Sequence, residues 1–163
     1  MSPRIGRPII EALAGIALVA SSCTSATEAP PPPSSPGMDV QEAYEVILTT
    51  DRFSGSHVGY SGATPNTVHA FRTLAQSPSG GQLFRQLLVA ATLPGQLYAL
   101  AGIYLDDDEA FRRAISPYLQ KSELVDTLFG CIWDQQQVRE LAQLIAQGEL
   151  PRQLERDRHD GGP

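Results

Sequence analysis

The 163-residue chain has no basic stripe: its 12 Lys and Arg are scattered and outnumbered by 18 Asp and Glu, for a net charge of −6. Without clustered positive charge there is nothing to neutralise a phosphate backbone, so nucleic acid is excluded as a partner. The same acidity gives no attraction to anionic lipid headgroups. Long hydrophobic runs are also missing. The apolar stretch from Ala12 to Ala20 is about half of the roughly 20 residues that a spanning helix needs. Cysteine is scarce, at two residues, and tryptophan occurs once. Catalytic and ligand-binding motifs do not stand out anywhere, and no cofactor is expected. Still, 42% of the residues are hydrophobic, enough to form a core in a chain whose length suits one domain.

The first 23 residues have an ordered layout. Arg4 and Arg7 come first, then the apolar run with Glu11 at its edge, then Ser21, Ser22 and Cys23. Charge, a short apolar run and small residues before a cleavage point are the parts of an export signal. The run Val19-Ala20-Ser21-Ser22-Cys23 resembles the lipobox of bacterial lipoproteins, departing from it where Ala20 stands in place of the commoner Leu. The resemblance covers only this segment. It implies cleavage before Cys23 and acylation of the Cys23 thiol, hence a protein held to a lipid bilayer in the bacterial cell envelope. Stable attachment takes more than one acyl chain, as that family supplies. Thr24 is not the Asp that retains such proteins at an inner membrane, so the outer membrane is the expected address where there is one. Cleavage would remove two basic residues and one acidic residue, moving the net charge from −6 to −7. It would also leave Cys131 without an intramolecular disulfide partner. The apolar setting Phe129-Gly130-Cys131-Ile132-Trp133 suggests a buried, inert thiol.

The organisation expected is a signal peptide over 1–22, a lipidated cysteine with a Pro/Ser-rich tether over 23–37, a helical domain over 38–151, and a polar tail over 152–163. Pro30 to Pro33 favour extended polyproline II structure, which suits a spacer. Within the domain, Asp39 and Glu42 form a capping pattern ahead of a helix carrying Val40, Tyr44, Ile47 and Leu48 on one stripe. Residues 51–63, rich in Gly and Ser, read as a long loop, and such loops are often functional. Thr64-Pro65 opens a second helix, and a third is expected from about Gln82 to Thr92. The segment Leu97 to Leu105 is apolar on every side, so it should be a central, buried helix. Asp106 to Glu109 suit a helix start. A short helix is expected over Glu123–Phe129, stopped by Gly130. A last helix follows, capped by Asp134, with Val138, Leu141, Leu144 and Ile145 as its stripe and Gly148 as its stop. Ala70-Phe71-Arg72-Thr73-Leu74 is echoed by Ala110-Phe111-Arg112-Arg113-Ala114, at about the spacing of HEAT-type helical pairs. The fold class expected is therefore all-α, a bundle or short HEAT-like stack of antiparallel helices. The central segment with Gly130-Cys131 also resembles helical domains of uncharacterised bacterial lipoproteins, a resemblance that implies no activity.

Three functions follow. The first is a protein-interaction module, with Phe53 and Tyr60 of the 51–63 loop as anchors for another envelope protein. The second is a hydrolase or a small-ligand or metal-binding domain built from His57, Ser61 and His69. Gly59-Tyr60-Ser61-Gly62-Ala63 lacks the final Gly of a nucleophile elbow, and the histidine spacing fits no compact metal motif. The third is a structural spacer.

Overall fold

A computed structural model describes residues 37–156. The lipobox, Cys23, most of the tether and residues 157–163 lie outside the described residues. Among these described residues, seven helices and a three-stranded sheet follow one another in the order α1 (Val40–Thr49), β1 (Arg52–Val58), α2 (Asn66–Gln76), α3 (Gly80–Ala90), α4 (Leu93–Asp106), α5 (Asp108–Ile115), a 3-10 turn (Tyr118–Gln120), β2 (Leu124–Gly130), β3 (Ile132–Gln137), α6 (Val138–Ala146) and α7 (Glu149–Glu155). The protein is thus mixed α and β, and the all-α expectation is corrected. Three segments overturn it: the loop around Phe53 is strand β1, the helix expected over Glu123–Phe129 is strand β2, and the residues around Asp134 form β3 rather than a helix cap. The HEAT-like stack goes with it. The second copy of the Ala-Phe-Arg echo lies in α5 and leads into a 3-10 turn and a strand, not into a paired helix.

Local chemistry accounts for the helices. Asp39 caps α1 by accepting from the Glu42 N–H at 2.8 Å. Thr92 caps α4 by accepting from the Gly95 N–H at 3.3 Å, with Pro94 at the start, where its missing N–H costs nothing. Asp107 caps α5 by accepting from the Ala110 N–H at 2.9 Å. That bond, joined by the Arg85 guanidinium at 3.0 Å, holds the Asp107 carboxyl below its ordinary pKa. Gly148, at φ 75°, ends the helix before it in the left-handed conformation, which glycine adopts without steric cost.

Packing centres on α4. Leu97 to Ile103 are buried all the way round this helix, as its uniform apolarity requires. Ile47, Phe71, Leu74, Phe84, Leu87, Leu141 and Ile145 are buried with it. α7 closes one side. Leu150 and Leu154 enter the core, and the buried Arg72 side chain donates to the carbonyls of Leu154 and Arg156. Order therefore continues past Pro151 into the stretch expected to be tail. Among the described residues no helix is long and apolar enough to cross a membrane.

The sheet has the order β1-β2-β3, with β1 parallel to β2 and β2 antiparallel to β3. Arg52 faces Asp126 and Phe53 faces Thr127 across the parallel pair. The hairpin register places Leu124 opposite Gln137, Asp126 opposite Gln135, Leu128 opposite Trp133 and Phe129 opposite Ile132. Side chains alternate between faces. One face carries Phe53, Val125, Thr127 and Phe129 towards the core, and the other carries Arg52, Leu124, Asp126, Trp133 and Gln135.

Candidate interaction surface

β1 is held from both sides. Phe53 is fully buried, its ring 4.5 Å from that of Tyr98 and 6.2 Å from that of Phe129. The Tyr98 hydroxyl accepts from the Ser54 N–H at 2.9 Å and donates to the Ser54 carbonyl at 3.1 Å. It also meets the Thr67 hydroxyl at 3.1 Å. Burial pushes the Tyr98 phenol above its ordinary pKa, so it stays a neutral hydrogen-bonding group. Gly55 is needed because a Cβ there would come within 2.9 Å of the Phe129 ring. Beyond the strand the Val58 N–H reaches the Ala63 carbonyl at 2.8 Å, and the Gly59 N–H reaches the Gly130 carbonyl at 2.9 Å. This second bond ties the turn carrying Tyr60 to the tip of the β2–β3 hairpin.

The hairpin itself faces outwards. Its loop is Gly130-Cys131, with Gly130 at φ 58°, the positive φ that tight hairpin turns demand. Ile132, Trp133 and Leu124 are 69%, 61% and 55% exposed, large apolar side chains that the core does not cover. Tyr60 beside the tip is fully exposed. The Arg52 guanidinium lies over the Trp133 ring at 4.4 Å, and the Gln135 amide donates to Asp126 at 2.8 Å. Arg52 also donates to Asp51 at 3.0 Å. That hydrogen bond raises the pKa of Arg52 and lowers that of Asp51. The face thus combines an aromatic ring, aliphatic groups and a few polar groups already paired with one another.

The residues singled out from sequence fall in different places. Tyr60 is at the surface, but Phe53 is inside the core and cannot anchor a partner in this fold; strand alternation and the Tyr98 ring draw it inwards. Cys131 is exposed at the hairpin tip, not buried as its apolar neighbours suggested, because the turn lifts it clear of the sheet. The His57 Nδ1 lies 3.0 Å from the Ser56 hydroxyl, and its Nε2 is buried with no hydrogen-bond partner among the described residues. His69 is exposed on α2 and lines a cleft of about 530 Å³ with Gly37, Met38, Glu42, Asn66 and Thr73. Neither His57 nor Ser61 is part of that lining, so the three residues do not converge there. Among the described residues no group of three His, Cys, Asp or Glu could hold a metal ion.

Sequence reasoning missed Leu124, Ile132 and Trp133. A signal was present: Val125, Thr127 and Phe129 alternate with Leu124, Asp126 and Leu128, and a Gly follows before Ile132-Trp133. Alternation of β-formers up to a glycine turn marks a hairpin. The chain matches no protein-family model, no curated protein and no solved structure.

Proposed function

We propose that this chain is a lipid-anchored protein of the bacterial envelope whose domain holds another protein through the outer face and tip of the β2–β3 hairpin. The observation that carries the docking surface is the exposure of Leu124, Ile132 and Trp133 together on one hairpin, with Tyr60 beside its tip. Trp133 and Leu124 lie on the outer face, and Ile132, opposite Phe129, at the tip; exposed apolar side chains grouped on one element mark interaction sites, and aromatic residues dominate the energy of protein interfaces. The other large exposed apolar side chains, Val40, Val89 and Leu119, lie on separate helices and turns. The anchor rests on the lipobox-like run ending at Cys23, with the Pro-rich stretch as a spacer.

Two measurements test this reading. The intact mass of the membrane-extracted protein should begin at Cys23 and carry acyl chains, both lost in Cys23→Ser. Photocrosslinking from position 133 in intact envelopes should yield a discrete adduct, and the Ile132→Ser/Trp133→Ala double variant should lose partner capture while keeping its circular dichroism spectrum. A wild-type protein without acyl mass would end the anchor reading. Unchanged capture by the double variant would end the docking reading.

A further inference from the structure

Two turns lie side by side at one end of the sheet. The Gly62 N–H closes the turn that carries Tyr60 on the Gly59 carbonyl at 3.0 Å, and the Gly59 N–H binds the Gly130 carbonyl of the hairpin turn at 2.9 Å. What the pair holds out to solvent is aromatic or apolar: Tyr60 is fully exposed, and Cys131 and Ile132 are exposed beside it. The chain also enters the domain next to this end. Gly37 and Met38 line a cleft with Asn66, the first residue of α2, and α2 begins directly after the turn that carries Tyr60.

Charge is missing from both turns and from the strand ends that carry them. Residues 58–71 and 127–133 contain no Lys, Arg, Asp or Glu, in a chain of net charge −6. With Phe129 and Ile132 paired at the tip, Asp134 stands two residues below it and Asp126 three. At the rise of a strand, the hairpin is therefore uncharged to a depth of about 7–10 Å. Interfacial segments sink roughly 5–10 Å into the boundary between headgroups and acyl chains, the same depth. Trp133 stands at the lower border of this cap, with the Arg52 guanidinium over its ring at 4.4 Å. Tryptophan and tyrosine concentrate at that level of a membrane, where one end of the ring is in apolar surroundings and the other is wet.

We infer that the cap formed by Tyr60, Cys131, Ile132 and Trp133 sinks into the headgroup boundary of a bilayer of zwitterionic phospholipid. The inference rests on the anchor reading, and it narrows the docking reading to the outer face below the tip. Charge selects the lipid. The cap brings no free cation to an anionic headgroup, since Arg52 is held by Asp51 at 3.0 Å, and the acidic body is repelled by an anionic surface. Zwitterionic headgroups neither attract nor repel it. A protein at the tip would find no charged group there to fix its orientation, and a bilayer needs none. The anchor supplies the rest. A few side chains give only weak partitioning alone, but a lipid on Cys23 would bring the tether to the domain beside the tip and hold the cap at high effective concentration next to the membrane.

Trp133 is the single tryptophan of the chain, so its fluorescence reports on the tip without a label. The membrane-extracted protein is reconstituted into phosphatidylcholine vesicles whose acyl chains are brominated near the headgroup. Trp133 emission should shift to shorter wavelength and be quenched. Ile132→Asp should abolish both signals, while flotation with the vesicles, held by the acyl chains, and the circular dichroism spectrum stay unchanged. Tyr60→Asp should weaken them in the same way and covers the case in which the first variant fails to fold. A photocrosslinker at position 132 in intact envelopes should label lipid. Vesicle-bound protein whose Trp133 emission matches that of the lipid-free protein would overturn the inference and leave the anchor standing. A discrete protein adduct from position 132, with no lipid adduct, would overturn it in favour of a protein at the tip. Stronger quenching on vesicles containing phosphatidylglycerol would overturn the choice of lipid. Quenching in a protein that carries no acyl mass would end the anchor reading and keep the immersed tip.

Discussion

β1 and β3 flank the same central strand, and their compositions point the wrong way. β1 is Arg-Phe-Ser-Gly-Ser-His-Val, poor in strand formers, yet its middle four residues are buried. β3 begins Ile-Trp, residues that favour strands and interiors, yet its first four residues are exposed. The difference lies in what covers each strand. α4 brings the Tyr98 hydroxyl against Ser54, and small Ser and Gly side chains let the helices close over β1. Among the described residues no helix packs across the outer face at Trp133, and apolar groups there are exposed. Burial in this protein is decided by neighbours more than by residue type, and the exposed apolar strand is the one to suspect of a partner.

The sharpest way to break this comparison is to truncate the aromatic side chain of each strand. Phe53→Ala should cost about 3–5 kcal/mol, the cost of emptying a buried aromatic site, read by urea unfolding. Trp133→Ala should cost less than about 1 kcal/mol, since it removes an exposed ring and one surface cation–π contact. Equal losses would mean that the two strands are equally integral to the core. Next in size is Tyr98→Phe. It leaves the Ser54 backbone groups buried without a partner, at about 1–3 kcal/mol, and should raise amide hydrogen exchange at Ser54 without altering exchange along β3.

Two pH effects are smaller. Burial raises the Tyr98 pKa above its ordinary 10.0, so an unfolded chain loses this proton first as pH rises. The contribution is intact below about pH 10 and is lost as pH climbs through the folded value. The melting temperature of the wild type should therefore fall more steeply above pH 10 than that of Tyr98→Phe. Asp107 shifts the other way, lowered chiefly by the Ala110 N–H and then by Arg85. Its contribution is present above the ordinary carboxylate value of 3.8 and is lost as pH falls through the lower folded value. Asp107→Asn keeps a good cap and should flatten the acid limb of the stability profile slightly.

Much of the helical framework was legible because helix signals are local. Asp39 before Val40 and Gly148 after Ile145 act within one turn of the chain, whereas Thr92, expected to end a helix, caps the next one. The uniform apolarity of Leu97 to Leu105 announced a central helix by itself. The strands were not legible in the same way. Arg52 pairs with Asp126 and Phe53 with Thr127, partners far apart in sequence, and nothing within residues 51–63 specifies them. Glu123–Phe129 holds Leu, Val and Phe in a short run, and short apolar runs suit helix or strand alike. The candidate surface suffered from the same blindness. Tyr60 lies at the surface in a Gly-rich turn, a local feature, whereas Phe53 is buried and Trp133 was overlooked because exposure depends on distant elements.

The chain by itself determined the acidic charge, the lipobox-like run at Cys23, the proline stretch, and the starts and stops of most helices, all properties of neighbouring residues. Tertiary structure alone decided that a Gly/Ser segment is a buried strand, that Cys131 sits at an exposed turn, and that Tyr98 closes the Ser54 backbone along one sheet edge. Those outcomes depend on which remote side chains arrive, and a hydroxyl from α4 reaching Ser54 is a fact of packing that no local pattern encodes.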